Sequence, residues 1–108
     1  MNLNIEEVLK EMLAVMSVVA KEHWKDVESV STNFLNRKKE RLEMLAKMRI
    51  SGEITQARFE SRLEDEKLIL EAELNALAVL SKAITQKAVN GAIDVLTKAV
   101  EKVISGIL

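Results

Sequence analysis

Proline and cysteine are absent from this 108-residue chain, and no glycine occurs before Gly52. Without proline or glycine, nothing in residues 1–51 obliges a helix to stop. The lack of cysteine excludes a disulfide framework and thiolate metal sites, a pattern that a cytoplasmic protein tolerates. Aromatic residues make up only 3% of the chain. A core must therefore be built from Leu, Ile, Val, Ala and Met, which suits helix-on-helix packing. The longest apolar runs, residues 12–20 and 74–81, fall well short of the roughly 20 residues needed to cross a bilayer. The first residues, Met1 to Glu7, lack the basic region of a secretory signal. With a net charge of -1, no general attraction to nucleic acid or anionic lipid is expected. There is no glycine-rich phosphate loop and no Gly-x-Ser-x-Gly elbow, and the single histidine has no evident Asp partner. The sequence thus points away from an enzyme and implies no cofactor.

What is present is helical periodicity. Apolar residues recur at Ile5, Leu9, Met12, Met16, Val19, Val27, Val30 and Phe34, and again at Phe59, Leu63, Leu70, Leu77, Ile84, Ala88, Val95, Ala99 and Val103. Gly52 sits between the two series, where a helix C-terminus and a tight reversal need it. The reading is all-α: one helical domain over residues 1–108, a long antiparallel hairpin with arms over about 3–50 and 56–106 and a turn at 51–55. A turn centred near Gly52 sets Arg41 near Glu64, Phe34 near Glu71, Val30 near Asn75, Val19 near Gln86 and Leu9 near Leu96. Two places could interrupt the arms. One is residues 29–33, where Ser31 or Thr32 could start a new helix. The other is Asn90-Gly91, although Gly91 also belongs to a small-residue stripe with Ala88, Ala92, Val95 and Ala99 that would let a neighbouring helix approach closely. Because the periodicity resumes in phase on either side, continuity is expected at both.

Half of residues 36–67, flanking the turn, are charged, against fewer than a quarter elsewhere. Towards the termini the balance reverses: apolar residues between Val8 and Val19 spread over about 200° of a helix, wider than one partner covers. At about 25 cal/mol per Å2, leaving several hundred Å2 of such surface wet costs on the order of 10 kcal/mol, comparable to a domain's whole stability. Another helix pair must cover it. The expectation is a second copy, giving a coiled-coil-like homo-oligomeric four-helix bundle joined through Leu9, Met12, Val15, Met16, Val19, Trp24, Leu77, Leu80, Ile84, Ala88, Ile93 and Leu96. The alternative is a monomeric four-helix bundle with breaks near 29–33 and 90–91.

Glu40, Glu43, Glu60 and Glu64 are the candidate ligands of a ferritin-like carboxylate metal site. The Glu-x-x-His motif of such sites is missing, and Arg37, Arg41, Arg58 and Arg62 are interleaved with the acids, so cross-arm salt bridges are favoured and no metal is expected. His23 reads as a packed histidine, since Ser81, Lys82 and Thr85 at its height in the other arm supply no second ligand. Trp24 reads as an anchor at a core edge or interface. The basic run Arg37-Lys38-Lys39-Glu40-Arg41 lacks the interleaved aromatics of a nucleic-acid site and reads as a solvated charged face. Met12, Met16, Met44 and Met48 read as core filling. The segment from Ala92 to Leu108 is amphipathic, with Ile93, Leu96, Val100, Val103, Ile104 and Ile107 on one side. Its mixed-charge polar face favours packing over membrane binding. The functional expectation is a structural or interaction protein that self-associates and presents its charged turn to a protein partner. Metal binding and peripheral membrane binding through the C-terminal helix are the alternatives.

Overall fold

The computed structural model describes residues 3–107, which are mostly helical with no strand among them. Helix α1 spans Ile5–Ala20, a 3-10 turn spans Lys21–His23, and α2 spans Trp24–Ile50. Helix α3 spans Gln56–Ala76 and α4 spans Lys82–Ile107. Each start has a local cause. Asn4 caps α1 by accepting from the Glu7 N–H at 3.2 Å, with Glu6 and Glu7 in the first turn where the helix dipole favours anions. Thr55 caps α3 through the Arg58 N–H, and the Ser81 hydroxyl accepts from the Ile84 N–H to start α4.

The turn at residues 51–55 falls where the sequence places it. Gly52 adopts φ 83°, the Glu53 N–H donates to the Met48 carbonyl, and the Gly52 N–H donates to that of Arg49. This is a Schellman closure, and the left-handed residue it needs is the glycine. The α-helix is also unbroken through 29–33 and 90–91, as expected. Ser31, buried in α2, donates its hydroxyl to the Val27 carbonyl at 2.8 Å, which satisfies it without interrupting the helix.

The arms nevertheless do not run straight. Helical turns continue from 5 to 50, but the chain changes direction at Lys21 (φ 53°), and the second arm is interrupted at residues 77–81, with Ala78 at φ 55°. Both are non-glycine residues at positive φ, a backbone conformation that costs roughly 1–3 kcal/mol and that composition does not advertise. The Lys39 ammonium meets the Glu6 carboxylate at 2.8 Å, so α1 lies back along α2. A straight helix from residue 5 to 50 would be about 70 Å long. The molecule measures 42 × 22 × 22 Å, with a radius of gyration of 13.8 Å against about 13 Å for a compact chain of this length.

The hairpin is folded in half. Its pairing register survives: an added Cβ on Gly91 would lie 2.7 Å from Val15 Cγ1, Val19 and Gln86 line one depression, and Arg41 reaches Glu66, two residues from its expected neighbour. The α1/α4 pair then packs on the α2/α3 pair, and neighbouring helices run antiparallel. This corrects the continuous-arm expectation, and it buries part of the wide apolar surface within the chain itself. Of the residues assigned to an oligomer interface, Leu9, Met12, Met16, Leu80, Ala88, Ile93 and Leu96 are buried in the chain's own core, around Phe34, Leu42, Phe59, Leu70 and Leu74. Val15, Val19 and Trp24 are half-buried, while Leu77 and Ile84 are exposed.

Candidate functional site

The charged end is built by the second half of α2 and the first half of α3. Glu66 falls seven residues after Phe59 and four before Leu70, so helical geometry turns its carboxylate towards the core, where it is 2% exposed. Two cations from α2 meet it there. Arg41 Nε donates to Oε1 at 2.6 Å, and Lys38 Nζ stands 3.1 Å from Oε2. One turn away, Arg37 donates to Glu73 at 2.5 Å and lies over the Phe34 ring, 5.7 Å from its centre. Lys39, on another side of α2, takes Glu6 of α1. Their mutual hydrogen bond, followed by their charges, holds the Glu6 carboxyl below its ordinary range and the Lys39 ammonium above its own. All four cations of the basic run are thus answered by carboxylates from other helices. Arg37 and Arg41 pair across the hairpin as expected, but with Glu73 and Glu66 rather than with Glu60 or Glu64; Lys39–Glu6 lies within the first arm, and Arg58 and Arg62 have no ion partner among the described residues.

Beside this network lies an open depression of about 380 Å3 on the outer side of α2 and the following turn. Met44, 47% exposed, and the half-buried Met48 contribute its apolar part. Glu40, Glu43 and Glu53 border it together with Lys47, which stands 3.7 Å from Glu43. Ser51 Oγ lies 3.1 Å from Glu53 Oε1 and closes the helix end by donating to the Met48 carbonyl. Chemically the patch is an adaptable thioether surface inside a net-negative rim. Against the expectation of core filling, Met44 is exposed and Met48 only half-buried. Met12 and Met16 are buried, whereas α1 begins level with Lys39 and leaves the last three turns of α2 without that neighbour.

The other candidate residues are dispersed. Glu40, Glu43, Glu60 and Glu64 do not converge: Glu60 accepts from Gln56, Glu64 pairs with Lys67 at 3.2 Å, and no group of three or more potential ligands is gathered among the described residues. His23 sits in the 3-10 turn, 3.8 Å from Glu22, rather than packed along an apolar side. Trp24, the first residue of α2, packs on the core edge. On α4, Ile93, Leu96, Val100 and Val103 are buried in the core, so the apolar side read as a possible membrane face is occupied. The side chain of Ile107, and Leu108 altogether, lie outside the described residues. No described helix is long and apolar enough to cross a membrane. Comparison of the chain with family models, with curated proteins and with solved structures gave no match.

Proposed function

We propose that the chain is a single-chain four-helix bundle that works as a protein-interaction module, presenting its α2/α3 end to a partner. The observation that carries this reading is the Met44/Met48 depression. Flexible thioethers adapt to varied apolar side chains, and carboxylates around them select against acidic partners. The partner chemistry that fits is a segment with an apolar anchor flanked by Lys or Arg. The ion network behind the depression supports the same reading, because it joins α2 to α3 and keeps the presented surface in one shape. The metal-binding alternative loses support from the separation of its carboxylates, and the membrane alternative from the burial of the apolar side of α4.

The test is an NMR amide titration of the isotopically labelled chain with a Leu/Lys amphipathic peptide and with its Leu/Glu counterpart. Shifts centred on residues 40–53 with the basic peptide, their loss in Met44→Asp, and silence with the acidic peptide are expected. Shifts confined to other helices, or equal responses to both peptides, would overturn the reading.

A further inference from the structure

The outer face of the α1/α4 pair, away from the surface just discussed, carries a pattern of its own. A shallow groove of about 390 Å3 runs between the two helices, with Val8, Val95 and Ala99 among its apolar lining. Glu7 and Glu11 edge it on the α1 side, and Lys98 and Lys102 on the α4 side. All four are exposed, and none has an ion partner within 4.0 Å among the described residues. Further along the same strip of α1, in line with Glu7 and Glu11 at helical spacing, stands Val18. It is 73% exposed, the most exposed of the large apolar side chains described. Level with it on α4 is a second depression, of about 510 Å3, lined by Ala83 and Gly91 together with Gln86, Lys87, Asn90 and Asp94.

We infer that this face docks on the same face of a second copy of the chain, about a two-fold axis parallel to the bundle. Such a rotation keeps every residue at its own height and exchanges left for right, so α1 of each copy lies over α4 of the other. Val15 opposite Gly91 sets the heights. Lys98 is then level with Val8 and Lys102 with Asn4, so Glu7 of one copy falls between the two lysines of the other, and Glu11 one turn from Lys98. The same operation brings Val18 over the depression around Ala83 and Gly91, between the polar side chains of Lys87, Asn90 and Asp94. A two-fold axis across the helices would instead set the acidic end against Val18 and satisfy neither match. Charge and shape therefore select one symmetry, and the contact is isologous, as a closed dimer requires. Two helices about 24 Å long and about 20 Å wide together bury on the order of 1,000 Å2 in total, the lower end of specific interfaces, which corresponds to a weak, concentration-dependent dimer. This inference is independent of the turn-end reading.

Sedimentation equilibrium over a wide concentration range at low salt tests it. The native chain should show a monomer–dimer equilibrium that weakens with added salt. Glu7→Lys with Glu11→Lys should lower association at least tenfold, and so should Lys98→Glu with Lys102→Glu. All four reversals in one chain should restore it, which a merely unfolded or generally charged variant would not do. Val18→Asp, at an exposed position, should abolish dimerisation while leaving the helical circular dichroism unchanged. A native chain that stays monomeric at millimolar concentration, or charge-reversed pairs that dimerise like the native chain, would overturn the inference.

Discussion

Replacing Glu66 separates what its ion network does for stability from what burial alone would do. The carboxylate is 2% exposed, while the Arg41 and Lys38 side chains that meet it are 43% and 24% exposed. When the anion goes, both cations can turn towards water, so the 3–5 kcal/mol typical of a stranded buried charge is an upper limit. Glu66→Gln keeps the shape and the acceptor for Arg41 Nε but loses the ion pair with Lys38 and the negative charge that both cations face. The expected loss is about 1.5–3 kcal/mol, the usual worth of a hydrogen bond to a charged group. At roughly 4–8 °C per kcal/mol for a domain near this size, the midpoint of thermal unfolding should fall by about 6–24 °C. Glu66→Leu loses both contacts. It removes the desolvation cost of a buried charge as well, and adds apolar surface between Leu63 and Leu70, so it should stay within about 1 kcal/mol of the native chain. Thermal and urea unfolding of both variants, with Arg41→Met and Lys38→Met to complete the comparison, measure the order. A Glu66→Gln variant as stable as the native chain, or a Glu66→Leu variant that is the least stable of the set, would refute the reasoning.

Other substitutions probe the turns and helix contacts. Gly91→Ala gains up to about 1 kcal/mol of helix propensity but sets its methyl group 2.7 Å from Val15 Cγ1, an overpacking cost of about 1–3 kcal/mol. It should destabilise the native chain and stabilise a Val15→Ala chain, and denaturant unfolding of the four-member cycle reads that reversal of sign. Ala78→Gly relieves a left-handed residue and should raise stability by about 0.5–1 kcal/mol after the added freedom of the unfolded chain is deducted, measured by thermal unfolding. The Glu6–Lys39 pair contributes fully only between two limits of pH. Because the folded Glu6 carboxyl titrates below its ordinary range, its contribution is present above that range and is lost as pH falls through the lowered value. Because Lys39 titrates above its ordinary range, its contribution is present below that range and is lost as pH rises through the raised value. Amide exchange in the first turns of α1 should accelerate at both extremes, and Glu6→Gln should remove both effects.

The parts of this fold legible in the sequence were those with a residue that has one structural use. Gly52 marked the reversal, and the apolar periodicity through Ser31 and Gly91 carried the helices across two stretches of poor propensity. The register followed from the position of that one turn, which is why Val19–Gln86 and the Val15–Gly91 approach survive when the hairpin folds over. The two bends were hidden because Lys21 and Ala78 occupy backbone conformations that usually call for glycine, and tertiary packing of α1 on α2 overrides the local preference. Ser81 was the available signal, a capping residue at the end of an apolar run, but without a neighbouring glycine or proline it resembled a small residue inside a helix. Of the wide apolar surface near the termini, Leu9, Met12, Met16, Leu80, Ala88, Ile93 and Leu96 are buried within the chain, while Leu77 and Ile84 are not. At the charged end, the pairing of Arg37 and Arg41 with α3 followed from their like-charge spacing, whereas Glu60 and Glu64 are answered by Gln56 and Lys67 of their own helix. The burial of Glu66 could have been read from its phase with Phe59, Leu63 and Leu70, whereas the exposure of Met44 depends on where α1 begins and has no local signature.

Folding α1 back along α2 is the step on which the rest depends, and a distance between spin labels measures it directly. The chain has no native cysteine, so Lys10→Cys and Asn36→Cys, both at exposed positions, can be labelled cleanly, with excess unlabelled chain added to remove distances between copies. Adjacent packed helices about 10 Å apart place the two labels within about 25 Å of each other. A distance of about 39 Å, the rise of an uninterrupted helix between the two positions, would contradict the folded-back chain and restore the straight arm.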